Sequence, residues 1–108
     1  MTYARRRDTN EKAIVDALVQ AGAAVQRLNE SGCPDLLVSW RGELHLVEVK
    51  LPLTARGAVQ QGKHRGAGGE HDDMTPAQVK WWREWRGKPP VVVRTVSEAL
   101  AAISVKLV

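Results

Sequence analysis

The sequence predicts an α/β domain with a mixed central β-sheet flanked by helices, in the order α-β-β-β-α-β-α. Three observations lead there. Short apolar runs that read as strands alternate with segments of helical periodicity. The second and third runs are separated only by Arg41-Gly42-Glu43, a tight connection that makes them an antiparallel hairpin. The fourth run, VVVR, comes after a helix and the dipeptide Pro89-Pro90. At 108 residues the chain is one domain, 1–108, long enough for a core and too short for a second independent one.

The elements follow in order. Residues 8–21 read as a helix with Asp8, Thr9 or Asn10 as cap; Ile14, Ala17, Leu18 and Ala21 recur at helical spacing and Gly22 ends it. Residues 23–28 (AAVQRL) read as a short strand, and NESGCP as a turn. Residues 35–40 (DLLVSW) and 44–51 (LHLVEVKL) form the hairpin, the latter apolar on both faces until Glu48 and therefore central and covered. Periodicity then vanishes through a Gly-rich basic loop over about 52–73, long enough to suggest a functional role. Thr75 caps the next helix with Pro76 at its first position; that helix runs PAQVKWWREWR and stops at Gly87. Residues 91–94 (VVVR) are a fourth strand, residues 97–103 a last helix, and the tail SVKLV is ambiguous.

Composition narrows the function. Apolar types make up 44% and charged types 26%, an ordinary globular balance. No apolar run approaches the ~18–20 residues of a membrane span, and no apolar segment follows the basic N-terminus as a secretory signal requires. A lone cysteine, Cys33, excludes an intrachain disulfide and a Cys-rich zinc module, and fits a reducing, cytoplasmic setting. It has no His or Asp at a spacing that would make it a nucleophile. Sixteen Lys and Arg against twelve Asp and Glu give a net charge of +4, which suits a polyanionic partner. The positive charge is clustered: Arg5, Arg6 and Arg7; Arg56, Lys63 and Arg65; Lys80, Arg83, Arg86 and Lys88.

Asp35, Glu48 and Lys50 carry the chemistry. Alternation puts positions 48 and 50 on one face of their strand. A hairpin tight around Gly42 places Asp35 roughly opposite Lys50, with Glu48 a cross-strand or diagonal neighbour. Converging carboxylates repel one another unless a cation lies between them, and hard divalent ions prefer such oxygens. A neighbouring lysine suits a phosphate oxygen or an attacking water. Solvated strand charge is the plain alternative, but these charges interrupt an apolar central strand, where unpaired charge is costly. His45 falls on the opposite face from Glu48.

GCPDLLVSW, then LHLVEVK, then MTPAQVKWW resembles the PD-(D/E)XK nuclease superfamily, and within it the small stand-alone VRR-NUC branch of phage and prophage proteins. The resemblance spans Glu11 to about Val93. It implies a restriction-endonuclease-like core and Mg²⁺- or Mn²⁺-dependent hydrolysis of DNA. It also implies selectivity for branched structures such as four-way junctions or flaps, and frequent homodimers in a bacterial or phage-infected cell. Carried over by position, it implies Asp35 and Glu48 as metal-binding acids and Lys50 as the motif lysine. Glu11 and the backbone carbonyl of Val49 become further metal ligands, and Gln78 the glutamine of the following helix. The link from Glu-x-Lys to the Pro-x-Gln helix is longer than this pattern leads one to expect. Apart from the resemblance, the basic clusters and the Gly-rich loop offer DNA contacts at Arg5, Arg6, Arg7, Arg56, Lys63, His64, Arg65 and Lys80. Glu70, His71, Asp72 and Asp73 read as a solvated acidic run before a helix rather than a second metal site. Trp81 and Trp85 share a helix face that packs on the sheet, while an exposed indole could stack on an unpaired base. The competing readings are a non-catalytic nucleic-acid-binding module on the same fold and a structural or regulatory protein with solvated charges.

Overall fold

The computed structural model describes residues 9–53 and 74–104. The elements are α1 (Glu11–Gln20), β1 (Ala24–Arg27), β2 (Leu36–Trp40), β3 (Glu43–Val49), α2 (Pro76–Glu84), β4 (Val91–Val93) and α3 (Val96–Ser104), in the expected order. The four strands lie side by side as β1-β2-β3-β4, antiparallel except for the parallel β3–β4 pair. The Gly-rich loop from residue 54 onward, Arg5–Arg7, Arg56, Lys63, His64, Arg65, the run Glu70–Asp73 and the last four residues lie outside the described residues. Among the described residues no helix is long and apolar enough to cross a membrane.

α1 and α3 cover one face of the sheet. Ile14, Val15 and Leu18 of α1, with Ala99 and Ile103 of α3, close over Leu36, Val38, Val47, Val49 and Val93. Residues 47 and 49 share this face because strand side chains alternate, so Glu48 and Lys50 emerge on the other side. α2 lies toward that second face, where its Gln78 meets Glu48, and it packs on the sheet less extensively than α1 and α3.

Asn10 is the N-cap of α1, yet its side chain does not cap the helix. Its Nδ2 donates instead to Lys50 O and Arg94 O, both at 2.9 Å. The first turn of α1 is thereby pinned to the end of β3 and to the residue after β4.

The hairpin differs from expectation by two residues. Arg41 (φ 50°) and Gly42 (φ 81°) form a two-residue turn with positive φ at both positions, and β3 starts at Glu43 instead of Leu44. Register runs from Trp40↔Glu43 to Leu36↔Val47, so one step further Asp35 lines up with Glu48, not with Lys50. β3 is uncovered only at its start: Glu43 and Leu44 are exposed, while His45, Val47, Glu48 and Val49 are buried. α2 also stops before the expected Arg86. Trp85 turns extended, and Arg86 Nη1 donates to the carbonyls of Arg83 and Glu84 at the helix end.

His45, on the same side of β3 as Val47, is buried, and among the described residues neither ring nitrogen has a hydrogen-bond partner. Burial, reinforced by the charge of Lys88 and partly opposed by Glu43, holds its pKa below the ordinary 6.5. The unfolded chain therefore binds a proton here at a pH where the folded chain does not. This contribution to stability is complete above about pH 6.5 and is lost as the pH falls below it. Urea denaturation midpoints should drop between pH 7.5 and pH 5.5, and His45→Leu should flatten that dependence. An unchanged slope in the variant would rule His45 out as its source.

Candidate active site

The site forms at the end of β3. Asp35 ends a turn in which Gly32 takes φ +83° and Pro34 is fully buried. Its Oδ2 accepts the Val49 N–H at 2.8 Å, which fixes the carboxylate beside the β3 backbone where the hairpin ladder stops. Glu48 leaves the next position on the opposite face from the core and is 1% exposed. Lys50 follows two residues later; its N–H donates to Val93 O and its carbonyl accepts from Asn10.

Gln78 joins these groups. Its Nε2 donates to Glu48 Oε2 at 2.7 Å, and its Oε1 accepts from Lys50 Nζ at 3.1 Å. Lys50 Nζ lies 3.3 Å from the same Glu48 oxygen, which closes a triangle of carboxylate, ammonium and amide. The amide orientation has a further cause in α2 itself. Thr75 accepts from Gln78 N, and Gln78 Oε1 accepts from Thr75 N at 2.9 Å, a reciprocal capping box that starts the helix. Gln78 therefore serves the helix start and Lys50 with one oxygen, and Glu48 with its amide nitrogen. Burying Glu48 and Lys50 is tolerable because each has the other and a shared amide.

Glu11, the first residue of α1, is 2% exposed, and its Oε2 accepts from Arg27 Nε at 3.0 Å. Glu11 is thus engaged by Arg27, while Glu48 is engaged by Lys50. Lys80 points elsewhere: it is exposed and pairs with Glu84 at 2.9 Å. The sequence reading missed Arg27, Asn10 and the Thr75 backbone. Only Thr75 left a legible signal, the Thr-x-x-Gln spacing of a capping box. It also missed Gly32, where an added Cβ would lie 2.6 Å from Ala77 O, so that only a glycine lets this turn seat against the first turn of α2.

The chain is similar to a solved VRR_NUC domain. The two align over 89% of this chain and 96% of the other, at 25% identity and a TM-score of 0.49. No protein-family model matches the chain, and no curated protein does.

A divalent ion suits this site in its donor chemistry. Asp35 and Glu48 offer hard carboxylate oxygens from adjacent strands, and Mg²⁺ keeps several waters and needs only one or two protein carboxylates. Among the described residues no three His, Cys, Asp or Glu side chains form a group that could hold a metal together. The fit is therefore to an ion held by two carboxylates, while Glu11 is engaged by Arg27.

Proposed function

We propose that this protein is a metal-dependent endonuclease that hydrolyses DNA phosphodiester bonds, with preference for branched structures such as four-way junctions or flaps. The observation that carries the reading is the buried Glu48–Lys50–Gln78 triangle with Asp35 fixed on the Val49 N–H. A protein that only binds a polyanion gains nothing from burying two carboxylates where phosphate would lie.

Asp35 and Glu48 would hold Mg²⁺ or Mn²⁺, with the Val49 carbonyl and Glu11 as further ligands. Such an ion supplies a bound water of lowered pKa and neutralises charge on the scissile phosphate. Lys50 orients the attacking water or stabilises charge building on phosphorus. Gln78 acts through its neighbours by fixing the directions of the Glu48 carboxylate and the Lys50 ammonium. Among the described residues one chain has one such site, so paired cuts across a two-fold junction call for a homodimer.

A cleavage gel tests this. Four-way junction, flap, duplex and single-stranded DNA are incubated with Mg²⁺ or Mn²⁺ and with wild type, Glu48→Ala or Glu48→Gln. The glutamine variant preserves volume beside Lys50. Cutting should require the ion and fall by roughly a hundredfold or more in both variants, the scale of removing a group that stabilises transition-state charge. Cutting that persists in Glu48→Gln, or that needs no ion, overturns the assignment. DNA binding without cutting of any substrate would instead establish a non-catalytic binding module.

A further inference from the structure

The second half of α2 and the turn after it have no part in the triangle, yet they are built in an unusual way. The Trp81 and Trp85 rings stack with centroids 4.6 Å apart and an interplanar angle of 16°. Trp85 is 42% exposed, one of the few large apolar side chains left in solvent among the described residues. It is nevertheless held in place: its Nε1 donates to Lys88 O at 2.9 Å, and a Cβ at Gly87 would lie 3.1 Å from the indole. An aromatic surface whose order is already fixed loses little entropy when a ligand settles on it. Around it Arg83, Arg86 and Lys88 are exposed, while the neighbouring Glu84 is matched by Lys80. The patch is thus aromatic with a cationic rim, complementary to a ligand that has flat rings and a negative backbone.

We infer that this surface binds an unpaired segment of DNA, bases against the Trp81–Trp85 pair and phosphates against Arg83, Arg86 and Lys88. Paired DNA offers phosphates but keeps its ring faces inside the stack, so the tryptophans favour single-stranded character. Charge alone would draw both forms. The inference rests on the nuclease reading for the identity of the ligand and adds to it where the strand is open. Trp85 follows Gln78 by seven residues, about 10 Å along the helix axis at 1.5 Å per residue. At ~3.4 Å per stacked nucleotide, that is about three nucleotides from the site. The selected structure would therefore carry its unpaired stretch close to the cut, on the α2 side.

The test is a binding measurement on the full chain in EDTA, so that no cleavage intervenes. Fluorescence anisotropy follows a labelled oligothymidine and a labelled duplex with wild type, Trp85→Ala and Trp85→Tyr, each variant checked for folding by thermal melting. Trp85→Ala should weaken the single strand about fivefold or more, in the range of stacking losses. The duplex should change by less than about twofold, and Trp85→Tyr should retain most of the single-strand affinity. Oligothymidine should also quench the intrinsic indole fluorescence of the wild type. Equal weakening of both ligands, no weakening of either, or no wild-type binding to the single strand overturns the inference. Stacking that behaves as expected in a protein that never cuts leaves this surface assigned and removes only the nuclease reading.

Discussion

Lys50→Met is expected to lower the stability of the folded chain by about 3–5 kcal/mol, the cost of removing one member of a buried ion pair. The substitution keeps the length of the side chain and deletes the ammonium that lies 3.3 Å from Glu48 Oε2. Glu48 is 1% exposed and cannot turn to water for the solvation it loses. Gln78 cannot replace the lost charge, and its Oε1 loses a donor. Urea denaturation with both CD and tryptophan fluorescence reads the change. The double variant Glu48→Leu/Lys50→Met separates the charge effect from a packing effect. With both charges gone, most of the stability should return, because well-packed apolar groups often substitute for a buried pair at little cost. A double variant as unstable as the single one would show that packing, not the unpaired carboxylate, causes the loss.

Gly32→Ala is expected to damage the site without touching any residue of the triangle. At φ +83° an alanine carries a backbone cost of about 1–2 kcal/mol, and its Cβ would meet Ala77 O at 2.6 Å. That neighbour is backbone in the first turn of α2, immediately before Gln78, so relief requires the helix start to move. α2 has little packing on the sheet to resist such a shift, and Gln78 would leave both Glu48 and Lys50. A displacement approaching 1 Å near reacting groups costs roughly a hundredfold in rate. Cleavage by Gly32→Ala should fall on that scale while the denaturation midpoint shows a loss of only a few kcal/mol. Full cleavage activity in a folded Gly32→Ala protein would mean that the position of α2 does not govern the site.

Much of this arrangement is visible in the sequence because it is local. The element order follows from periodicity and from turn residues such as Gly22 and the Thr75-Pro76 start, which act within a few positions. Glu48 and Lys50 stand out because charges in an apolar strand need partners, Gln78 stands out only through the resemblance of its Thr-Pro-x-Gln context, and the fold brings these three into contact. What the sequence concealed depends on distance or on atypical residues. The register slipped by two because Arg41 takes φ 50°, a conformation that Asn, Asp or Gly would have announced and an arginine does not. Its guanidinium, 4.3 Å from the centroid of the Trp40 ring, accompanies that turn. Asn10 looks like a cap and serves as a clasp between residues 40 and 84 positions away. The tryptophans have the spacing of a core stripe, yet Trp85 is exposed, because α2 covers less of the sheet than an amphipathic helix usually does.

The parallel pairing of β3 with β4 has a consequence for how such a chain can diversify. Every group in the triangle hangs from the end of β3 or from the first turn of α2, and both anchors are fixed by contacts of their own. The Lys50 N–H donates to Val93 O, its carbonyl accepts from Asn10, and Gly32 seats against Ala77 O. The architecture thus holds a chemically constrained frame through partners distant in sequence, and the positions free to vary are those that make none of these contacts.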